Sequence, residues 1–144
     1  MMSRIKIEVP DLFSFSTCVR VRITDLNYGA HVGNDSILSF IHEARVRFLQ
    51  SLGYSELNLA GVGLIMSDVA IEFKKEIHYG DEVTISVVAT DFGRVGFDLV
   101  YKLEKNPGPA CSLLALAKTG MVCYDYSLKK VSNLPDVARR LLAP

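Results

Sequence analysis

One apolar stripe between residues 34 and 53 constrains the fold of this 144-residue chain more than any other feature. Hydrophobic side chains recur there at three- and four-residue spacing, at Ile37, Phe40, Ile41, Ala44, Phe48 and Leu52. This period predicts one amphipathic helix with a single face to bury. Asn34 or Asp35 is expected to cap its first turn, and Gly53 is a natural stop. The rest of the chain must supply a surface against which the stripe packs.

The segments on either side of this helix favour strands. Residues 13–23 are rich in Phe, Thr and Val, which suits a strand. After the helix, apolar and polar residues alternate with the two-residue period of half-buried strands. The alternating stretches are 69–73, 83–89 and 95–103, and "HYGDE" and "DFGR" supply the turns between them. The longer turn "EKNPGPA" leads to a largely apolar run at 113–124, which is typical of a central strand covered on both faces.

The order of these elements defines the expected fold class. A strand, one long helix and four antiparallel strands predict an α+β fold, and "SNLPDVARRLL" predicts a short closing helix with Pro135 in its first turn. We expect a single domain, residues 1–144, in which a curved antiparallel sheet of about five strands wraps the central helix. The other face of the sheet also needs cover. Pairing with a second subunit would supply it, which predicts a homodimer or homotetramer.

Composition excludes several classes of partner. The chain is 49% hydrophobic, and its 16 basic residues balance its 16 acidic ones, so it lacks the basic footprint of a protein that binds nucleic acid or an anionic membrane. No apolar run approaches the roughly 18 residues of a membrane helix, and the N-terminus lacks the apolar core of a signal peptide. Cys18, Cys111 and Cys123 form neither a disulfide framework nor a zinc pattern. We therefore expect a cytoplasmic protein with buried thiols and no bound metal.

The stretch "TDLNYGAHVGND" at residues 24–35 is rich in hydrogen-bonding groups, and it connects the first predicted strand to the helix. Turn chemistry explains part of it, because Gly and Asn tolerate positive φ and Asn or Asp caps helices. His31 is left unexplained, since a turn has no need of an imidazole. A histidine just ahead of a helix N-terminus lies where backbone amides converge on a polarised carbonyl, and this arrangement suits acyl transfer.

The sequence around this loop resembles a known family. "VRITDLNYGAHVGNDSILSFIHEARVRFL" resembles the hotdog-fold thioesterases of the 4-hydroxybenzoyl-CoA thioesterase type, which show Asp-x-Asp-x-x-Gly/Gln-His-Val-x-Asn and then a helix ending in Glu-Ala-Arg. The matching residues are Asp25, His31, Val32, Asn34, Glu43, Ala44 and Arg45. "VAIEFKKEIHYGDEVTI" is similar to the family's second strand, the turn after it and the next strand. The resemblance implies a hotdog fold and hydrolysis of acyl-CoA or acyl-carrier-protein thioesters, with coenzyme A as part of the substrate and no other cofactor.

One residue departs from the family pattern. The second acid, which is the carboxylate credited with catalysis in that branch, falls on Asn27. Asparagine donates and accepts hydrogen bonds but cannot remove a proton. Our hypothesis for hydrolysis without that acid is that His31 acts as general base towards water or donates to the thioester carbonyl, with Asn27 orienting the water. Backbone amides near Gly33 and Asn34 would hold the oxyanion.

Three other carboxylates are candidates to replace the missing acid, and each has a plainer interpretation. Asp25 lies two residues from Asn27, but an acid there also holds a loop by accepting backbone N–H groups. Glu43 lies on the helix, but Arg47 follows at the spacing of a surface ion pair. Asp68 opens a strand and could reach a site across a subunit boundary, or it is simply solvated.

Basic side chains are candidates to meet the phosphates of coenzyme A, with solvated strand positions as the alternative. They are Lys74, Lys75, Arg94 and Lys102. Two other functions stay open from the sequence. One is a non-catalytic module that binds or senses acyl thioesters, and the other is a hotdog enoyl-thioester hydratase, which the lack of a clear second acid beside His31 disfavours.

Overall fold

The computed structural model describes residues 3–106 and 112–144. Its elements in chain order are β1 (Phe15–Arg20), a 3₁₀ turn (Ile23–Asp25), α1 (Asn34–Ser51), β2 (Gly63–Phe73), β3 (Glu82–Thr90), β4 (Gly96–Asn106), β5 (Leu113–Asp125), β6 (Lys130–Val131) and α2 (Asp136–Leu142). The predicted order of a strand, a long helix and four antiparallel strands is confirmed. The two-residue strand β6 is an addition that no sequence pattern indicated.

The apolar stripe of α1 forms the centre of the core. Its buried residues include Ile37, Phe40, Ile41, Ala44 and Phe48 as predicted, together with Leu49. The predicted cap is wrong, because Gly33 occupies the N-cap and no side chain bonds to the first turn. Gly53 follows the last helical residues with φ +82, a left-handed conformation that glycine adopts without steric cost, so the predicted stop is confirmed.

The strands form one open antiparallel sheet in the order β1-β3-β4-β5-β2, with β6 paired to the end of β5. Side chains that point from the central strands β3, β4 and β5 towards α1 are fully buried, among them Ile85, Leu99 and Met121. An antiparallel sheet packed on one long helix is the α+β hotdog arrangement that the sequence predicted. Strands β1 and β2 are the two free edges.

Strand β2 is more exposed than its sequence pattern predicted. The alternation at residues 69–73 indicated a half-buried strand, but the side chains of Val69 and Phe73 are 40% and 52% exposed. The reason is topological, since within residues 3–106 and 112–144 the only strand that pairs with β2 is β5. Strand β4 also runs further than expected, to Asn106, so that Glu104 to Asn106 are strand. The remainder of that predicted turn, residues 107–110, lies outside the described residues.

The expectation of buried thiols holds for one cysteine and fails for another. Cys123 is buried on β5, and burial raises the pKa of its thiol to about 11. Cys18 is exposed, because it lies on the edge strand β1. Cys111 lies outside the described residues.

The closing helix is confirmed as α2, with Pro135 at the N-cap immediately before it and Ala138 and Leu142 buried. In residues 3–106 and 112–144, no helix combines the length and hydropathy that crossing a membrane requires.

Close packing of β4 against β5 gives a stability prediction. A Cβ at Gly96 would clash with the Met121 carbonyl oxygen, and a strand backbone cannot retreat cheaply. We expect Gly96→Ala to lower the free energy of unfolding in urea by roughly 1–3 kcal/mol. The matched control is Gly93→Ala, where the nearest atom lies 3.8 Å away and we expect a change within about 0.5 kcal/mol. Equal stability of the two variants would contradict this account.

Candidate active site

The loop between β1 and α1 is a tight hairpin held by its own backbone. The N–H of Asn27 donates to the His31 carbonyl (2.9 Å), and the N–H of Ala30 donates to the Asn27 carbonyl (3.2 Å). Ala30 sits at φ +64, in the left-handed region that an L-residue rarely adopts. This turn fixes the direction in which the next side chain, His31, leaves the loop.

A second backbone contact fastens this hairpin to the segment that follows β2. The Val32 N–H donates to the Ile77 carbonyl over 2.8 Å, and both side chains are buried. The residues on either side of these two, His31 and Glu76, are thereby brought to the same surface although they are distant in sequence.

His31 opens into a cleft of about 240 Å³, which we call the His31 cleft. Apolar side chains of α1, β2 and β5 line its walls, namely Ile37, Phe73, Leu114 and Ala115. Polar and charged residues complete the lining, namely Asn34, Lys74, Lys75 and Glu76. An apolar cleft with a few convergent polar groups is the usual form of a small-molecule site.

The two ring nitrogens of His31 face different partners. Nδ1 lies 3.4 Å from the Val32 carbonyl oxygen, which can only accept, so this contact favours the tautomer that carries its proton on Nδ1. Nε2 is then the basic nitrogen, and it lies 3.9 Å from Oε1 of Glu76. The imidazole is about one-third exposed and can meet a ligand that enters the cleft.

Gly29 brings Asn27 and His31 close together. A Cβ at Gly29 would lie 3.1 Å from Nε2 of His31 and 3.2 Å from Oδ1 of Asn27, so both side chains flank the same point. Oδ1 of Asn27 already accepts the Gly29 N–H (2.8 Å), which leaves the amide NH₂ as the group that can act on a ligand. Asn27 is not among the residues that line the His31 cleft, and its link to the cleft is its closeness to His31.

The helix start offers fewer donors than the sequence indicated. The N–H of Gly33 donates to the Asp25 carbonyl (3.1 Å), so in this structure it is committed to the loop and the expectation that it faces an oxyanion is not met. The N–H of Asn34 belongs to the first turn of α1, where a helix provides no acceptor of its own. Asn34 also lines the His31 cleft, which keeps it as a candidate donor.

The contacts of Asp25 match the plainer of its two predicted roles. Its carboxylate accepts the Arg22 N–H at 2.8 Å and lies 3.5 Å from the Arg22 guanidinium, and the residue is only 5% exposed. It closes the 3₁₀ turn before the loop and is not among the residues that line the His31 cleft.

Glu43 also lies away from the His31 cleft. It forms an ion pair with Arg47 at 2.9 Å, the helical spacing foreseen for a surface pair. Both side chains line a separate groove between α1 and β1, together with Cys18 and Phe40. Within one protomer the structure does not bring Glu43 to His31.

Asp68 and Arg94 share a different groove, which lies at the start of β4 beside β2 and β5. Asp68 accepts from the Lys118 ammonium (2.9 Å) and the Gly120 N–H (3.0 Å) beside an irregularity in the β2–β5 register. The hydrogen bond from Lys118 holds the pKa of Asp68 below its usual value. Arg94 donates to Oδ1 of Asn133. Neither residue lines the His31 cleft, so their predicted substrate-binding roles find no support in the geometry of one chain.

Part of the family-like motif serves the fold. Arg45, from the Glu-Ala-Arg stretch, is 5% exposed and donates to the Tyr101 hydroxyl, which in turn contacts Thr119 (2.8 Å). Burial raises the pKa of Tyr101, so its phenol stays neutral and can donate. The guanidinium also lies 3.4 Å from Glu56. This buried network links α1 to the sheet.

Sequence reasoning missed Glu76, which lies nearer to His31 than any of the three carboxylates it proposed. "KKEIHYGDE" gave no sign of it, because Glu76 follows the alternating part of β2 and its proximity to His31 arises only from the Val32–Ile77 contact. Within the described ranges, no three His, Cys, Asp or Glu side chains are grouped to hold a metal ion.

A hotdog sheet and helix, with a histidine at the helix start facing an apolar cleft, define a protein of the thioesterase class. The sequence model of the Thioesterase-like superfamily matches residues 21–142, and the chain belongs to that superfamily. It is 27% identical over 130 residues to a 1,4-dihydroxy-2-naphthoyl-CoA hydrolase of Nostoc punctiforme, covering 86% of this chain and 82% of that protein. A hydrolase of the same name from Synechococcus elongatus is 27% identical over 120 residues, which cover 81% of this chain and 85% of the relative.

Solved structures confirm the fold. A 1,4-dihydroxy-2-naphthoyl-CoA thioesterase from Synechocystis superposes with a TM-score of 0.79 at 24% identity, over 89% of this chain and 94% of that one. A gentisyl-coenzyme A thioesterase superposes with a TM-score of 0.77 at 20% identity, over 90% of this chain and all of the other.

The contacts of Asp25 give a test of its role. Asp25→Ala removes the acceptor of the Arg22 N–H, and we expect it to lower the free energy of unfolding by about 1–3 kcal/mol. Asp25→Asn keeps an acceptor oxygen but removes the charge, so we expect turnover within about threefold of wild type. Urea denaturation and a steady-state assay measure the two effects. A folded Asp25→Asn enzyme without turnover would show that this carboxylate is catalytic.

Proposed function

We propose that this protein hydrolyses acyl-CoA thioesters to the free acid and coenzyme A. The observation that carries the proposal is the position of His31, which lines an apolar cleft beside the first turn of α1 and has its Nε2 on the side of Glu76, another lining residue. Membership in the Thioesterase-like superfamily and the naphthoyl-CoA hydrolases among its relatives support it.

In the mechanism that we propose, water attacks the thioester carbonyl. Nε2 of His31 takes a proton from the water as its oxygen bonds to the carbonyl carbon. The amide NH₂ of Asn27 orients the water, and the N–H of Asn34 holds the developing oxyanion. When the carbon–sulfur bond breaks, the imidazolium returns the proton to the departing thiolate. The products are a carboxylic acid and coenzyme A, and no cofactor is consumed.

The size of the cleft favours a compact acyl group. About 240 Å³ lies below the range of roughly 300–1,000 Å³ that is usual for drug-sized ligands. A small aromatic acyl group matches this volume better than a long aliphatic chain, and the relatives named for naphthoyl-CoA support the same choice.

Charge at the cleft favours coenzyme A over a carrier protein. Lys74 and Lys75 follow β2 and both line the cleft. The Lys74 ammonium is paired with Glu72 at 2.7 Å, so a phosphate of the coenzyme would bind beside that ion pair. An acyl-carrier-protein substrate, a non-catalytic binding role and an enoyl-thioester hydratase are the competing functions. The thiol-release panel below distinguishes the binding role and the hydratase from hydrolysis, and the lysine variants test recognition of the coenzyme.

We propose that the protein works as a homodimer or homotetramer in the cytoplasm. Strand β2 supports assembly, because within the described residues no second strand pairs with its outer edge, and Met66, Val69 and Phe73 are exposed. Native proteins rarely leave a long apolar edge strand uncovered. The same strand ends at the His31 cleft, so a partner that covered it would also border the site.

Thiol release from a panel of aromatic, short and long acyl-CoAs tests the proposed chemistry. We expect His31→Ala to lower kcat at least about 100-fold, because it removes the general base. We expect Asn27→Asp to retain or raise turnover, since a carboxylate there restores the usual acid of the family. Saturable binding of acyl-CoA without thiol release would support the sensing role instead. Consumption of an enoyl-CoA without thiol release would support the hydratase.

The two lysines give a separate test of the carrier. We expect Lys74→Ala/Lys75→Ala to raise KM for an acyl-CoA roughly fivefold, because each lost phosphate contact is a partly exposed ion pair. A truncated thioester of N-acetylcysteamine carries no phosphate, so its kcat/KM is expected to stay unchanged. Equal losses with both substrates would show that the lysines act on something other than the coenzyme.

A further inference from the structure

We propose that Glu76 is the carboxylate of this active site, holding the attacking water together with His31. The inference rests on the proposed thioesterase function and adds the acid that Asn27 does not supply. Of the carboxylates that the sequence singled out, Asp25, Glu43 and Asp68 are all bonded elsewhere. Glu76 lines the His31 cleft and has one oxygen on the imidazole side.

The distance between the two groups fits a shared water. Nε2 of His31 and Oε1 of Glu76 are 3.9 Å apart, which is too long for a direct hydrogen bond. Polar groups at this separation are commonly bridged by a water. One water can donate one hydrogen to Nε2 and the other to Oε1, and its lone pairs then face the cleft where the thioester carbonyl would lie.

The fold fixes the backbone positions of His31 and Glu76. The Val32 N–H to Ile77 carbonyl bond places His31 and Glu76 next to each other, and the buried Ile77 side chain anchors the segment. The second carboxylate oxygen, Oε2, lies 3.6 Å from Nε2 of His78. Glu76 therefore lies between two imidazoles, and each is beyond direct hydrogen-bonding distance.

The chemical role of Glu76 follows from its charge. When Nε2 takes the proton of the water, the imidazole becomes a cation beside an anion, so the carboxylate stabilises the charge that develops in the step. The remaining hydrogen stays on the water oxygen and keeps its hydrogen bond to Oε1 of Glu76 while that oxygen attacks the carbonyl carbon. The proton on Nε2 then passes to the departing thiolate, and Glu76 ends the cycle unchanged.

A double-mutant cycle separates this role from a structural one. We expect Glu76→Gln to lower kcat about 10- to 100-fold with little change in KM, because it acts after substrate is bound. In the His31→Ala background the same substitution is expected to change the residual kcat by less than about twofold, since the two groups serve one water. Glu76 is two-thirds exposed, so the melting temperature is expected to stay unchanged. Glu104→Gln, which removes an ion-paired carboxylate on β4, is the matched control and is expected to leave kcat unchanged.

The outcomes distinguish this inference from the function on which it rests. If the wild-type protein releases no thiol from any acyl-CoA, both fail together. If His31→Ala loses activity but Glu76→Gln does not, the function stands and the role of Glu76 is overturned. Equal losses in both backgrounds, or a change confined to KM, would also overturn it, because a group that shares the water of His31 cannot act independently of His31.

Discussion

The backbone hydrogen bond from the Val32 N–H to the Ile77 carbonyl is the contact on which the site depends. The hairpin before α1 and the segment after β2 belong to different parts of the chain, and the carboxylates that sequence reasoning proposed lie elsewhere. This one bond, shielded between two buried side chains, sets His31 and Glu76 side by side. Because a buried backbone hydrogen bond is costly to break, the packing of Val32 and Ile77 in the core holds the backbones of His31 and Glu76 next to each other.

Most polar groups of the loop between β1 and α1 form hydrogen bonds within that loop. Asp25 closes the turn before it, the carbonyl oxygen of Asn27 accepts from Gly29, and Gly33 returns its N–H to Asp25. Such internal bonding gives a short loop the rigidity that a catalytic group needs. It also explains why residues that resemble a catalytic set divide into two kinds, those that shape the loop and those that face the cleft.

Periodicity predicted the fold because helix and strand patterns are local. The stripe of α1 and the alternation of the later strands are properties of neighbouring residues, and both were confirmed. Burial of β2 and the exposure of Cys18 were mispredicted, since each depends on which strands lie at the edge of the sheet. Glu76 escaped prediction for a related reason, because its partner lies across the fold and no sequence spacing records that distance. His31 was predicted as a site residue because an imidazole has no ordinary use in a turn, and the structure places it at the cleft.

The conformation of Ala30 has a consequence for how this site can vary. An L-residue at φ +64 costs roughly 1–2 kcal/mol relative to a right-handed conformation, and the hairpin bonds around it must compensate. Glycine would relieve the strain, whereas valine or isoleucine at this position would force the turn to rearrange and redirect the imidazole. The direction of the His31 side chain therefore depends on the backbone torsion of Ala30, and we expect only small side chains to be tolerated at residue 30.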